Sequence, residues 1–404
     1  MNQLIEGKYT NAKVFTNNID EVTIDQVKTF LDQEFTKDCK VRIMPDCHAG
    51  KGAVIGTTME IKDKVCPNLV GVDIGCGMLC IEIKNQNVHF DFEKLDQTVR
   101  TLIPAGQFSR TTTHDFIKHI QLSSVLAPIE PSKVALGLGS LGGGNHFIEL
   151  NQSPDGRLFL VIHSGSRSLG VRVANYHQKV AIASHDTSKA EIKSIIQQLK
   201  REGREKEIQQ AIQAFTPSRN NVPDELAYLT GEKMEHYLHD LKIAQEFAKW
   251  NRAAMAQEIM KAMQFEEVGR IDTVHNYIDL DHMILRKGAI SARKDELVLI
   301  PINMRDGSLL AKGKGNDNWN QSGPHGAGRI LSRSKAKSLL KLEDFKEAMK
   351  DVYTTSVEFD TIDESPFAYK SMNEIIENTQ DTIEVQEILK PLYNFKSAEY
   401  VSFK

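Results

Sequence analysis

The chain carries an aspartate and a cysteine three residues apart on a glycine-rich stretch. Residues 71–78 read GVDIGCGM and follow a short apolar run. Because glycine permits backbone conformations that other residues resist, both side chains can point at one small object. Thiolate and carboxylate both bind divalent cations, and a thiolate can bridge two of them. Taken alone, Asp73 and Cys76 fit a metal site and a tight turn with a buried cysteine equally well.

Three histidines stand where further metal ligands would be useful. His163 ends the apolar run 158–163, which predicts a buried strand, and His275 ends a shorter predicted strand. His146 lies in the stretch GGGNHFIEL. A single histidine of this kind is usually structural. With Asp73 and Cys76, however, the three form a donor set large enough for two ions, and its mixture of soft and hard donors suits manganese, zinc or iron more than magnesium.

The stretch around His146 also carries side chains suited to a purine. If it is a strand, Asn145, Phe147 and Glu149 share one face and His146 points to the other. A glutamate can accept from the N–H groups of guanine, and an aromatic ring can cover a face of the base. An edge strand with a solvated glutamate and a buried histidine is the alternative interpretation. The GxGxxG match at 137–142 is weak, because the helix and the acidic residue that a dinucleotide site requires do not follow it.

One histidine has the features of a covalent nucleophile. His325 lies in SGPHGAGR, where glycine and proline shape a loop that leaves one imidazole nitrogen room for an incoming phosphorus. Asp46, in MPDCHAGKG, can orient an imidazole or cap a turn, and the incomplete P-loop pattern there excludes a Walker nucleotide site. Arg167 follows His163 at the end of the predicted strand and suits a phosphate.

Composition restricts the class of protein. The 404 residues are 40% hydrophobic and 26% charged, which is ordinary for a soluble globular protein. The net charge of -4 means that a nucleic-acid partner needs a local basic surface, for which the candidates are Arg286, Lys287, Arg293, Lys294 and the basic residues of 329–337. About half of the last group could equally be a solvated helix start. Five cysteines without a secretion signal predict reduced thiols and a cytoplasmic location, and no apolar run is long enough to span a membrane.

The predicted elements favour one composite α+β core. They are a helix at 24–32 capped by Thr23, a buried strand at 158–163, a charged helical hairpin at 188–215, one long helix or two at 225–263, strands within 272–303, and helices at 334–353 and 371–391. Because the motifs lie on both sides of the helical block, their sites must converge. We therefore predict a single catalytic domain over residues 1–404, with mixed β-sheets flanked by helices around a deep metal-containing cleft, and a helical insertion at about 187–217.

Together the motifs resemble those of the RtcB family of RNA-splicing ligases. Seven motifs match in order between about Asn11 and Lys396, at 45–52, 71–78, 142–149, 163–167, 275–276, 286–289 and 325–329. The resemblance implies an enzyme that uses GTP and manganese to join an RNA 3′-phosphate or 2′,3′-cyclic phosphate to a 5′-hydroxyl. It also implies a role in RNA repair or tRNA splicing, and it makes an activating protein a further candidate partner of a monomeric enzyme.

The resemblance implies individual roles as well. Asp73, Cys76 and His146 would hold one manganese ion, and Cys76, His163 and His275 would hold the other, so that the thiolate bridges them. His325 would take GMP from GTP. The guanylate would be contacted by Asn145, Phe147, Glu149, Asn276, Ser308, Ala327, Tyr369 and Lys396.

One loop departs from the family pattern. Where common members read Pro-Gly-Ser-Met-Gly-Thr/Ala, residues 301–308 read PINMRDGS. Asn303 stands in the place of a phosphate-contacting serine, and Arg305 and Asp306 add two charges beside the nucleotide. The metal ligands are unaffected, but the loop bears on how a triphosphate is held. The alternative function is therefore a metal-dependent phosphohydrolase or cyclic phosphodiesterase of RNA ends that has lost ligation.

Overall fold

The computed structural model describes residues 3–84, 90–185, 188–215 and 222–398. Its strands are β1 Gln3–Glu6, β2 Asn11–Val14, β3 Val41–His48, β4 Ile55–Glu60, β5 Lys64–Val65, β6 Gly77–Ile83, β7 Phe147–Gln152, β8 Leu158–Ser164, β9 Leu229–Thr230, β10 Glu267–Val274, β11 Asn276–Asp279, β12 Ile284–Lys287, β13 Ala289–Ser291, β14 Leu297–Asn303, β15 Gly307–Gly313, β16 Ser322–Pro324 and β17 Ile383–Lys396. Its α-helices are α1 Glu21–Leu31, α2 Phe92–Leu102, α3 Pro131–Ala135, α4 Arg167–His185, α5 Ser188–Arg201, α6 Ile208–Ala214, α7 Gly231–Met263, α8 Arg333–Leu339, α9 Leu342–Ala348 and α10 Met372–Thr379.

Two large sheets form the body of the protein. One has the strand order β1-β2-β3-β4-β12-β11, and the other has the order β10-β6-β8-β7-β17-β15-β14. Neighbouring strands are antiparallel except for β2 and β3. Motifs that are far apart in the sequence therefore occupy adjacent strands.

The central strands of the larger sheet are buried on both faces. Side chains such as Leu160 and Ile162 of β8 pack with Met255 and Ile259 of α7, whereas Val161 of β8 packs on the other face with residues of β14, β15 and β17. This two-sided burial explains why the strand at 158–163 is a continuous apolar run rather than an alternating one.

The mixed α+β class is confirmed, and the long helix is the single helix α7. The described residues of the stretch predicted as an insertion form α5 and α6, while 216–221 lie outside the described residues. Among the described residues, no helix combines the length and the apolar composition needed to cross a lipid bilayer.

Three local predictions were wrong. The cap of α1 is Asp20, whose carboxylate accepts from the backbone N–H of Thr23, so Thr23 itself is inside the first turn. The helix predicted at 371–391 stops at Thr379. The segment after it enters the sheet as β17, because it gains ladder hydrogen bonds on both sides, with β7 and β15. Residues 334–353 form two short helices, α8 and α9, rather than one.

Candidate active site

Strand ends at one edge of the larger sheet bring the predicted metal ligands together. Cys76 immediately precedes β6, His146 precedes β7, and His275 follows β10. The register places Met78 and Phe147 on either side of His163, near the end of β8. Because adjacent antiparallel strands end and begin at the same edge, residues far apart in the sequence meet there. The backbone N–H of His275 donates to the carbonyl of Cys76 at 2.9 Å.

Cys76 lies at the centre of a buried chain of donor atoms. Its Sγ is 3.3 Å from Nε2 of His146 and 3.3 Å from Nε2 of His163. His146 Nε2 lies 2.9 Å from Oδ2 of Asp73, and His163 Nε2 lies 3.4 Å from Nε2 of His275. Within the described part of the chain, the donor atoms of Cys76, His146 and His163 lie within 4.8 Å of one another.

The protonation of these groups suits a divalent cation. His163 Nδ1 lies 3.0 Å from the carbonyl of Asn145, which can only accept, so the proton is on Nδ1 and Nε2 keeps its lone pair. Burial lowers the pKa of His163 and His275 well below the usual range, so both imidazoles are neutral and could bind a cation. Burial, followed by the charge of Asp73, raises the pKa of the Cys76 thiol, and a bound cation would relieve this cost by taking the thiolate. The donor set therefore fits a metal centre.

Two glycines allow the loops to close on this cluster. A Cβ at position 142 would lie 1.8 Å from Nδ1 of His146, and a Cβ at position 165 would lie 2.0 Å from Oδ1 of Asp73. Both distances are far inside van der Waals contact. Any side chain at Gly142 or Gly165 would therefore displace a candidate ligand.

Two buried polar residues of α7 form hydrogen bonds with the backbone of the same loops. Arg252 donates to the carbonyls of Gly75 (2.8 Å) and Ser164 (3.0 Å). The amide oxygen of Asn251 accepts from the backbone N–H groups of residues 139 and 140, and its Nδ2 donates to the carbonyl of residue 165 at 3.0 Å. The sequence pattern predicts this helix but assigns none of its residues to the site. The available signal was a pair of adjacent polar residues in a helix whose neighbouring positions are apolar.

His325 is held by Asp46 from the other sheet. Oδ2 of Asp46 accepts from Nδ1 of His325 at 2.6 Å and from the backbone N–H groups of His325 (3.0 Å) and Gly326 (3.2 Å). Asp46 is fully buried, whereas the side chain of His325 is 20% exposed. Because a carboxylate only accepts, Nδ1 of His325 carries a proton, and in the neutral imidazole the lone pair is on Nε2. The ring of His325 lies 5.0 Å from that of His275, so the candidate nucleophile borders the donor cluster.

A cleft with a cavity volume of about 260 Å³ opens beside His325. It is lined by most of the residues that the sequence predicts to contact a guanylate, namely Asn145, Phe147, Glu149, Asn276, Asn303, Ala327, Tyr369 and Lys396. Lys396 Nζ lies 5.2 Å from the ring centroid of Phe147. The carboxylate of Glu149 accepts from Asn394 at 2.7 Å and from Asn151 at 3.2 Å, and burial raises its pKa to about 7.

Glu364 is a residue of the cleft that the sequence interpretation missed. Only 2% exposed, it accepts from Tyr369 (2.7 Å), Lys396 (3.1 Å) and Arg329 (3.3 Å). Burial alone would raise its pKa, but the positive charges of Lys396, Arg333 and Arg329 hold the pKa well below its usual range. Glu364 thus joins two predicted guanylate contacts, Tyr369 and Lys396, into one network. The sequence offered only an acidic residue five positions before Tyr369.

Three predicted residues lie beside the cleft rather than along it. Ser308 is fully buried, and its Oγ has no hydrogen-bond partner among the described residues. The guanidinium of Arg167 donates to Ser140 Oγ (3.1 Å) and to the carbonyl of Gly106 (2.6 Å), so it supports the loop before His146. Asp46 lies beneath His325, as described above.

The divergent loop forms a closed turn between β14 and β15. The Asn303 side chain donates to Asp306 at 2.8 Å and accepts from the backbone N–H groups of residues 305 and 306. Arg305 and Asp306 pair with each other at 2.8 Å. The two added charges therefore neutralise each other, and the Asn303 amide is used within the turn.

The predicted basic surface is smaller than expected. Arg286 and Lys287 are 0% and 3% exposed, because β12 lies inside the first sheet. Arg286 donates to Ser322 at 2.8 Å and to Tyr277 at 2.9 Å, and burial lowers the pKa of Lys287 to about 8. The prediction that these two residues contribute to a surface was wrong.

Comparisons with known proteins lead to the family that the sequence motifs resemble. A family model described as "tRNA-splicing ligase RtcB" matches residues 31–128 and 110–397. The chain is 30% identical over 387 residues to the "RNA-splicing ligase RtcB" of Escherichia coli (strain K12), which covers 85% of this chain and 87% of that protein. It is 24% identical over 429 residues to the "tRNA-splicing ligase RtcB" of Pyrobaculum aerophilum, covering 83% of this chain and 82% of that protein.

Proposed function

Since the chain belongs to the RtcB family of RNA-splicing ligases, we propose that it joins RNA 3′-phosphate or 2′,3′-cyclic phosphate ends to 5′-hydroxyl ends, using GTP, two manganese ions and a histidine–GMP intermediate. The observation that carries the proposal is the pair formed by Asp46 and His325. It presents an unprotonated imidazole nitrogen to a cleft that borders a cluster of metal donors.

In the first step, His325 acts as the nucleophile. Its Nε2 lone pair attacks the α-phosphorus of GTP, a nitrogen–phosphorus bond forms, and the bond to the bridging oxygen breaks with its electron pair leaving on pyrophosphate. Asp46 keeps the proton on Nδ1 and stabilises the positive charge that the ring acquires.

The metal donors would act on the charge of this step. Divalent cations held by Asp73, Cys76, His146, His163 and His275 would neutralise the triphosphate and the leaving pyrophosphate. The chain itself keeps the donors in place. Asn145 fixes the tautomer of His163 through its carbonyl, and Arg252 fixes the backbone just before Cys76.

Three residues of the cleft would bind guanine. Phe147 offers an aromatic face, Lys396 a donor, and Glu149 a buried acceptor. Each oxygen of Glu149 bonds one amide and retains a lone pair, so the carboxylate can still accept from the N–H groups of the base. Donors of this kind favour the ionised form of Glu149.

The later steps transfer the guanylate to RNA and then release it. An oxygen of the RNA 3′-phosphate attacks the phosphorus on His325, and the nitrogen–phosphorus bond breaks. The 5′-hydroxyl then attacks the activated 3′-phosphorus and expels GMP. A 2′,3′-cyclic phosphate must be opened by hydrolysis to the 3′-phosphate before this sequence begins.

The test is incubation of the full chain with radiolabelled GTP and manganese chloride, followed by addition of RNA with a 3′-phosphate and a 5′-hydroxyl. We expect a covalent guanylate that is stable in base and labile in acid, and its absence in His325→Ala. His236→Ala, at a half-exposed position on α7, is the matched control and should label normally.

One observation supports the second candidate function. The Asn303 amide is engaged in its own turn, so that side chain is not free to hold a phosphate. If the wild-type chain forms no guanylate adduct but still opens an RNA 2′,3′-cyclic phosphate in the presence of manganese, the protein is a phosphodiesterase and not a ligase.

A further inference from the structure

We infer that His48 is the general base that takes the proton from the attacking 5′-hydroxyl in the joining step. This inference rests on the proposed ligase function and concerns a residue with no role in guanylylation. Neither the metal donor set nor the guanylate contacts include it. Three features of the structure support it.

The first feature is the orientation of the imidazole. His48 is the last residue of β3, and its Nδ1 lies 3.1 Å from the carbonyl oxygen of Asp46. A carbonyl can only accept, so the proton is on Nδ1 and the lone pair is on Nε2. His48 Nε2 has no hydrogen-bond partner among the described residues. It is also not fully buried.

The second feature is that Asp46 orients two imidazoles at once. Its backbone carbonyl holds Nδ1 of His48, and its carboxylate holds Nδ1 of His325. Both rings therefore leave Nε2 free, and both line the same cleft. A second imidazole oriented in the same way, beside the nucleophile, is suited to a proton transfer that follows the nucleophilic step.

The third feature is that the other basic groups lining the cleft are already engaged. His163 and His275 belong to the donor cluster, and His325 would carry the guanylate. Glu149 accepts from two amides, and Glu364 from three donors. In the proposed function the remaining lone pairs of Glu149 face the N–H groups of guanine, so among the described residues that line the cleft His48 is the base left with an unengaged lone pair.

Its environment keeps that lone pair available. The charged and titratable groups that act on His48 are Asp46, His325 and Arg329. Burial, reinforced by His325 and Arg329, lowers the pKa of His48. The neutral form is therefore dominant at neutral pH.

In the joining step one proton is transferred and one phosphorus–oxygen bond replaces another. Nε2 of His48 takes the proton of the 5′-hydroxyl, and the hydroxyl oxygen forms a bond to the activated 3′-phosphorus. The bond from that phosphorus to the bridging oxygen of the guanylate breaks, and its electron pair leaves on GMP. The proton then passes from His48 to the GMP phosphate or to solvent, which restores the base.

The test separates the two chemical steps in His48→Ala, His48→Gln and the control His236→Ala. Each protein is first labelled with radioactive GTP and manganese, and RNA with a 3′-phosphate and a 5′-hydroxyl is then added in a single turnover. We expect adduct formation within about twofold of wild type, because His48 has no part in that step. Joining should be about 10²–10⁴-fold slower, with accumulation of the guanylylated RNA, because a general base contributes on that order.

Two further readouts distinguish a base from a structural residue. The joining rate of the wild type should rise about tenfold per pH unit below the pKa of His48 and then level off, and this break should disappear in His48→Ala. Added imidazole should partly restore joining in His48→Ala, where it can occupy the vacated space, but should not accelerate His48→Gln or the wild type.

Each contrary outcome overturns the inference. Normal joining by His48→Ala would show that the base is elsewhere, and loss of adduct formation would show that His48 serves Asp46 or the first step. Slow joining without imidazole rescue and with an unchanged pH profile would show a structural role. If the wild type itself forms neither adduct nor joined RNA, the proposed function fails, independently of His48.

Discussion

Replacing Asp46 by asparagine separates the charge of this residue from its shape. Oδ2 accepts from three donors, two of which are backbone N–H groups, while Oδ1 is buried without a partner. The two backbone donors require an oxygen at the Oδ2 position, so the new amide nitrogen must take the Oδ1 position. The tautomer of His325 is then preserved, and the change removes only the negative charge and leaves a buried NH₂ unsatisfied.

The magnitudes follow from this geometry. A hydrogen bond to a charged group is worth about 1–2 kcal/mol more than a neutral one, so guanylylation by Asp46→Asn should be about 5–30-fold slower. The unsatisfied NH₂ should lower the free energy of unfolding by about 1–3 kcal/mol. Asp46→Ala leaves the imidazole without an acceptor as well, and we expect a loss of about 10²–10⁴-fold, as for other removed catalytic partners.

The assay measures the rate of adduct formation with radiolabelled GTP and the urea midpoint of each variant. Asp25→Asn, at a strongly exposed position, is the control for removal of one carboxylate and should match the wild type in both. Equal rates for wild type, Asp46→Asn and Asp46→Ala would refute the reasoning, since His325 would then need no oriented partner. A folded Asp46→Asn that is as inactive as His325→Ala would show that Asp46 acts on the substrate directly.

Three other residues give independent predictions. Cys76→Ala should lose both bound manganese ions in equilibrium dialysis because one sulfur serves both, and retention of one ion at full occupancy would contradict bridging. The pKa of Glu149 is raised to about 7, so its ionisation lowers the free energy of unfolding as pH rises from about 4.5 to about 7. In urea titrations, the free energy of unfolding of Glu149→Gln should therefore rise relative to that of the wild type by up to about 3 kcal/mol across that window. A pH-independent difference would argue against a buried ionised carboxylate. The pKa of Glu364 is depressed, so the stability that it contributes is present above about pH 4.5 and is lost as pH falls through its lower pKa in the folded protein. Glu364→Gln should therefore lose about 3–5 kcal/mol at neutral pH and converge on wild type in acid, and an unchanged melting temperature at pH 7 would show that its cations need no partner.

Four of the metal donors could be predicted because each stands at or beside a strand end. Cys76, His146, His163 and His275 follow or precede runs that are recognisable as strands. Which strands are neighbours could not be predicted, because the ladders pair residues as far apart as Phe147 and Lys396, and short-range patterns carry no register information. The distances within the cluster therefore required the fold.

Buried polar partners were the main omission. Asn251 and Glu364 act through backbone groups and side chains that are distant in the sequence, so no local spacing marks them. The error over Arg286 and Lys287 has the same origin. Exposure of a basic residue depends on whether its strand is central or at an edge, and β12 turned out to lie between β4 and β11.

The divergent loop at 303–306 is held by different contacts from those that hold the metal donors. The part of the cleft that contains the metal donors is held by hydrogen bonds from Asn251 and Arg252 of α7 and by strand ends of the larger sheet. The loop at 303–306 connects β14 and β15, and Met304 within it packs instead against Phe345 of α9 and its neighbours. Since the Asn303 turn and the donor cluster share no hydrogen bond among the described residues, substitutions in this loop should alter the affinity for the nucleotide without altering that for manganese. If the proposed function holds, an evolutionary change there would tune the use of GTP and leave the donor cluster intact.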